Sequence, residues 1–157
     1  MTSHDQPPGG RSGFITLAGP PTTVFLVDDD ADFLEAAREV LTEDGYAVTS
    51  ATNGADALEQ LAAMVDARLP FPEVLVLDFV LPKLSGLGVL RALARLGRLP
   101  PTLILTGFPD PSVDTFARKL GAFRVLRKPI ESEALCAAVG EAAALRSTET
   151  TRILPRV

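Results

Sequence analysis

Three consecutive aspartates, Asp28, Asp29 and Asp30, follow the apolar run Val24–Val27, and another, Asp78, follows the run Val74–Leu77. A threonine, Thr106, comes after Leu103–Leu105, and a lysine, Lys128, with Pro129 behind it, comes after Arg124–Leu126. If these four ends meet, Asp28, Asp29 and Asp78 crowd together. Crowded carboxylates repel, and burial pushes their pKa values up. A hard divalent cation removes the conflict: Mg²⁺ takes oxygen ligands, keeps several waters, and binds through one or two carboxylates plus a phosphate. With the Lys128 ammonium added, the charges of such a cluster sum to zero. The chemistry that suits it is phosphoryl transfer, in which a metal and a lysine neutralise the oxygens of the moving group and a hydroxyl donates to another. A carboxylate can itself be the nucleophile, giving an aspartyl phosphate. Asp78 stands singly and is the candidate nucleophile, which leaves Asp28 and Asp29 for the metal and Thr106 and Lys128 for the phosphoryl oxygens.

The residues between these ends decide whether they meet. Short strand-like runs at Val24–Val27, Tyr46–Ser50, Val74–Leu77, Leu103–Leu105 and Arg124–Leu126 alternate with helical faces. The faces read Phe33, Ala36, Ala37 and Val40; Leu58, Leu61, Ala62 and Val65; Leu87, Leu90 and Ala94; Val113, Phe116, Ala117 and Leu120; and Leu135, Val139 and Ala142. Gly45, Gly97 and Gly121 stand where the first, third and fourth helices should stop. Strand and helix in alternation predict βαβ units with right-handed crossovers. The expected fold is α/β: a doubly wound five-stranded parallel sheet, (βα)5 and flavodoxin-like, with strand order 2-1-3-4-5. That order makes strands 1 and 3 neighbours and places ligands beyond their carboxyl ends.

Composition removes other classes. The chain has 157 residues, 46% hydrophobic and 22% charged, with a net charge of −5. One domain is expected, and an acidic chain is a poor non-specific binder of nucleic acid. The single cysteine, Cys136, allows no internal disulfide, and the single histidine, His4, excludes a Cys/His zinc site and a Ser-His or Cys-His triad. No apolar run reaches the roughly 20 residues of a membrane span, and the start carries no signal-peptide pattern, so the expected location is cytoplasmic. Residues 1–21 read as a flexible extension with a short apolar stretch, Phe14–Ala18; residues 22–146 as the domain; residues 147–157 as a polar tail. Asp28, Asp30, Asp32 and Glu39 mimic an EF-hand loop, but Phe33 occupies the position that needs Gly. Gly86 and Gly88 hint at a dinucleotide fingerprint whose third Gly is missing.

Taken in order, VFLVDDD, LVLDFVLPKLSG, ILTG and RKP resemble the receiver domain of bacterial two-component response regulators, over about Thr23 to Arg146. The stretch DFVLPKLSGLGVL is closest to the receivers of nitrogen-fixation and LuxR-type regulators. The resemblance implies Asp78 as phosphoacceptor, Asp28 and Asp29 as the acidic pocket, and the backbone carbonyl of Val80 beside them among the Mg²⁺ ligands. It implies Thr106 as switch, Lys128 as the conserved-type lysine, and a cis Lys128–Pro129 bond. The implied partners are a histidine kinase or histidine phosphotransfer protein as donor and an unknown output protein, with no direct nucleic acid and no membrane, and with room for a phosphorylation-dependent homodimer. Catalysis would be limited to self-phosphorylation from phosphodonors and slow self-dephosphorylation. A phosphorylation-independent interaction module is the alternative.

The chain departs from that family's pattern in three places. Val80 and Phe108 stand where residues flank the path of the hydrolytic water, and both are apolar. Val125 stands three residues before Lys128, where receivers carry Tyr or Phe; Phe123 shares its strand parity and is expected to face the same way. The connection between Gly54 and Asp78 is long, with the extra residues around Met64–Pro72.

Overall fold

In the computed structural model, described for residues 19–108 and 110–153, each of the five strand-like runs from Val24 onward falls on a parallel strand. The chain runs β1 (Thr23–Val27), α1 (Ala31–Glu43), β2 (Ala47–Ala51), α2 (Gly54–Asp66), β3 (Val74–Asp78), α3 (Gly86–Arg95), β4 (Thr102–Thr106), α4 (Pro111–Lys119), β5 (Arg124–Arg127) and α5 (Ser132–Ile153). The five strands form one sheet in the order β2-β1-β3-β4-β5, as the alternation required. The register pairs Val27 with Leu77, Asp78 with Leu105, and Thr106 with Arg127, so the strands end level with one another. The Phe14–Ala18 stretch and most of the 1–21 extension lie outside the described residues. At the other end α5 continues past residue 146 to Ile153.

Both faces of the sheet are covered, which is why its central strands are apolar without alternation. On one face Phe25, Val27, Leu75, Leu77 and Ile104 pack with Leu61 of α2, Leu90 and Leu93 of α3 and Ala117 of α4. On the other, Val24, Leu26, Val74, Val76, Leu103 and Leu105 pack with Leu34 and Leu41 of α1 and Leu135 and Val139 of α5.

Four helices stop in the same way. In α1, Gly45 takes φ +96, its N–H donates to the Thr42 carbonyl, and the Tyr46 N–H donates to Leu41. Gly97 and Gly121 end α3 and α4 with the same pair of bonds, a Schellman arrangement. Tyr46 spends its N–H on this cap, so β2 begins at Ala47, one residue later than the sequence suggested. The end of α2 uses the same bonds with Arg68 at φ 54, where no glycine signals the stop.

Helix phases differ from the expected faces. Leu34, Ala37 and Leu41 are the buried residues of α1, while Ala36 is exposed. Ala94 of α3 is exposed, and so is Phe116 of α4, although Val113 and Ala117 beside it are buried. Apolar residues lie on more than one side of these helices, and the sheet selects the stripe that fits its surface. Phe123 also departs from expectation. It packs with Leu126 on the α1–α5 side, whereas Val125 packs on the α2–α4 side. Strand β5 begins only at Arg124, so pleat alternation does not extend back to Phe123.

Candidate functional site: an acidic pocket at the strand ends

The neighbouring strands β1 and β3 deliver Asp28 and Asp78 to one point. Asp28 follows β1, and its N–H donates to the Ala51 carbonyl at 3.2 Å, extending the β1–β2 ladder by one bond. Its Oδ1 accepts the Asp30 N–H at 2.9 Å. Asp30 is the N-cap of α1, accepting from the N–H groups of Asp32 and Phe33 at 3.1 and 3.2 Å. The acidic run therefore divides its labour: Asp30 starts the helix, and Asp28 and Asp29 are free of that task. Asp78 is the last residue of β3, and its Oδ1 accepts the Val80 N–H at 3.1 Å.

Lys128 closes the pocket from β5. Its backbone N–H donates to the Thr106 carbonyl at 2.9 Å, and the bond to Pro129 is cis. Its Nζ donates to Asp78 Oδ2 at 2.9 Å and to Asp28 Oδ2, and it stands 4.8 Å above the Phe33 ring. One ammonium thus holds two carboxylates that are almost out of solvent, Asp28 at 1% and Asp78 at 7% exposure. Burial pushes the Asp28 carboxyl above its ordinary value, opposed by the hydrogen bond from Lys128. Burial also pulls Lys128 down, but its bonds to Asp28 and Asp78 outweigh that and leave it above the usual lysine value. Asp29 is exposed at the mouth. Ligand oxygens of Asp28, Asp29 and Asp78 all lie within 4.8 Å of one another. Three hard oxygens so close, with one ammonium among them, fit a small oxophilic divalent cation better than any soft metal.

Thr106 ends β4 beside Asp78 and is buried. Its Oγ1 is engaged within its own loop, accepting the Phe108 N–H at 3.0 Å and donating to the Phe108 carbonyl at 3.4 Å. Val80 and Phe108 are 53% and 59% exposed on the rim. All the residues proposed from sequence therefore meet at one end of the sheet. Sequence reasoning missed two supports. Phe33 lies against the lysine, and Gly86 lets α3 approach so closely that a Cβ there would sit 2.2 Å from the Asp78 carbonyl oxygen. The signal for the second was present: a glycine directly after the N-cap Ser85, eight residues beyond the strand end.

An open parallel sheet with its polar cluster beyond the strand ends, at the switch point, defines the doubly wound α/β class, in which ligands bind at that edge. The family match is narrower, and the chain belongs to the response regulator receiver domain family, which matches residues 24–140. Among its relatives, the response regulator MprA of Mycobacterium ulcerans (strain Agy99) is 37% identical over 114 residues, which make up 73% of this chain and 47% of that protein. MprA of Mycobacterium leprae (strain TN) is 36% identical over 116 residues, 74% of this chain and 48% of that one. The chain therefore spans about half the length of these relatives. Among solved structures, a response regulator receiver domain protein from Clostridium thermocellum superposes with TM-score 0.72 at 28% identity, covering 81% of this chain and 98% of that one. The receiver domain of the putative response regulator NarL from Mycobacterium tuberculosis gives 0.70 at 26%, covering 80% and 98%.

Proposed function

We propose that this chain is the phosphoacceptor of a two-component or phosphorelay system, taking a phosphoryl group from a partner's phosphohistidine onto Asp78. The observation that carries the reading is the arrangement at Asp78: a carboxylate oxygen 2.9 Å from the Lys128 ammonium, with Asp28 and Asp29 oxygens within 4.8 Å. In the transfer the N–P bond to the donor imidazole breaks and an O–P bond to the Asp78 carboxylate forms, the imidazole nitrogen leaving with the electron pair. Asp28, Asp29, Asp78 and the Val80 carbonyl would hold Mg²⁺, which when bound neutralises charge on the phosphoryl oxygens. Lys128 would supply a second positive charge, and Thr106 carries the hydroxyl that can turn to a phosphoryl oxygen.

The donor in this reading is a partner, a histidine kinase or a histidine phosphotransfer protein. Release of the signal falls to an output partner or a second copy, and the chain's own catalysis is confined to self-phosphorylation and slow self-dephosphorylation. No helix among the described residues is long and apolar enough to cross a membrane, in keeping with a cytoplasmic place of work. Incubation with acetyl phosphate and Mg²⁺, read by intact mass, tests the proposal. A gain of one phosphoryl group that disappears in Asp78→Asn is expected. No gain would instead favour an interaction module that works without phosphorylation.

A further inference from the structure

The side chain of Phe108 lies between two clefts. One, of about 380 Å³, is walled by Phe79, Leu87, Val113 and Phe116, with Asp110 and Ser112 at its edge. The other, of about 400 Å³, lies toward β5 and has mixed walls: polar Thr106, Asp110, Asp114, Thr115 and Arg127 beside apolar Pro111 and Val125. Phe108 lines both and fills neither, remaining 59% exposed, and Phe116 across the first cleft is 56% exposed. Two large aromatic side chains thus stand in water beside an apolar cleft that has room for a ring.

The backbone explains why the ring stays out. Thr106 Oγ1 takes the Phe108 N–H at 3.0 Å and gives its proton to the Phe108 carbonyl at 3.4 Å, while the Asp110 N–H also donates to that carbonyl at 2.9 Å. Residue 108 is therefore tied through both of its peptide groups to the Thr106 hydroxyl, at the end of the strand next to β3. A hydroxyl that turns to an oxygen on Asp78 gives up both bonds to Phe108 together. Residue 108 then keeps only the bond from the Asp110 N–H, and its ring is less constrained next to apolar surface.

We propose that Phe108 is the moving element of this chain: phosphorylation of Asp78 draws Thr106 Oγ1 away, and the Phe108 ring enters the cleft between α3 and α4, covering Phe116. The apolar cleft is the destination because burying an aromatic ring against Phe79, Leu87 and Phe116 removes apolar surface from water, whereas the β5-side walls would lose hydration from Asp114, Thr115 and Arg127. Phe79 already forms part of the cleft wall. Phe123 lies on the opposite side of the sheet, and Phe33 lies against Lys128. A partner that reads the exposed Phe108–Phe116 face would then distinguish the two states of Asp78.

This inference rests on the phosphoacceptor reading, and the experiment separates the two. The chain contains no tryptophan, so Phe108→Trp provides a unique fluorophore at a half-exposed position. Acetyl phosphate and Mg²⁺ are added to this variant, and intact mass and emission are read on the same sample. The expected result is a mass gain with a blue-shifted emission and at least a twofold fall in acrylamide quenching. Phe116→Ala in that background should weaken the shift, and Val125→Ala should leave it intact. Hydroxyl-radical footprinting of the unsubstituted chain should show a matching fall in oxidation at Phe108. Mass gain with unchanged emission and unchanged footprint overturns the inference and leaves the phosphoacceptor reading standing. A shift abolished by Val125→Ala but not by Phe116→Ala overturns it too, because the ring would then enter the β5-side cleft. No mass gain overturns both.

Discussion

Gly86→Ala tests how tightly the phosphoacceptor is held by its neighbours. The added methyl group would lie 2.2 Å from the Asp78 carbonyl oxygen, 3.1 Å from the Asp78 carbonyl carbon and 3.2 Å from the Phe79 Cα. These are backbone atoms at the end of β3, and the Gly86 N–H already donates to the Phe79 carbonyl at 3.2 Å. No side chain can swing aside, so α3 or the strand end must recede by about 1 Å to reach ordinary contact. Overpacking of this kind costs about 1–3 kcal/mol, and the helix preference for Ala over Gly returns at most about 1 kcal/mol. A misplacement of about 1 Å in a reacting group is worth about a hundredfold in rate. Urea unfolding should therefore show a loss of about 1–2 kcal/mol, and phosphorylation by acetyl phosphate should slow by one to two orders of magnitude. Gly88→Ala is the comparison. Its methyl group meets only side-chain atoms, the Leu84 Cδ1 at 2.7 Å, the Leu84 Cγ at 3.1 Å and the Ser85 Oγ at 3.3 Å, and the Leu84 side chain can turn. That variant should match the parent in rate and gain up to about 1 kcal/mol of stability. A Gly86→Ala chain that phosphorylates at the parental rate, or a Gly88→Ala chain equally impaired, would refute the reasoning.

Asp29→Ala should weaken Mg²⁺ binding by about tenfold or more, since a hard cation loses a carboxylate oxygen, and the rise in melting temperature caused by Mg²⁺ should shrink accordingly; a titration with and without the substitution measures both. The acyl phosphate should be long-lived because neither Val80 nor Phe108 can orient a water by hydrogen bonding, and Val80→Asn with Phe108→Glu should shorten its lifetime in a time course of phosphate loss; an unchanged lifetime would remove the apolar rim as the cause. Arg68 holds a left-handed conformation at the end of α2, so Arg68→Gly should raise stability by up to about 1 kcal/mol in urea unfolding; a loss would mean that the Arg68 side chain makes a contact worth more than the strain.

The fold and the site were legible in the sequence for one reason: both depend on strand ends. A strand covered on both faces is an unbroken apolar run, so the first polar residue after it marks the carboxyl edge, and Asp28, Asp78 and Thr106 each stand at that mark. The glycine stops of α1, α3 and α4 were equally plain, because a left-handed residue after a helix favours Gly. What was not legible depended on contacts between elements. The stripe that α1 buries, Leu34, Ala37 and Leu41 with Ala36 left exposed, is selected by the sheet beneath it. The side on which Phe123 falls is not set by the pleat, because Phe123 lies before the first residue of β5, Arg124. The end of α2 at Arg68 carries no glycine to announce it. The closeness of Gly86 to Asp78 is a distance between segments that no local pattern encodes.

Reductive trapping of the acyl phosphate tests the central claim most directly. Borohydride converts a phosphorylated aspartate to homoserine and leaves a free carboxylate untouched, so peptide sequencing by mass spectrometry reads the acceptor position itself. After acetyl phosphate and Mg²⁺, homoserine should occur at residue 78 and at no other aspartate, and Lys128→Ala should lower its yield because the ammonium 2.9 Å from the Asp78 carboxylate is gone. Homoserine at Asp28 or Asp29 with none at Asp78, or none anywhere in a folded chain supplied with Mg²⁺, would contradict the account.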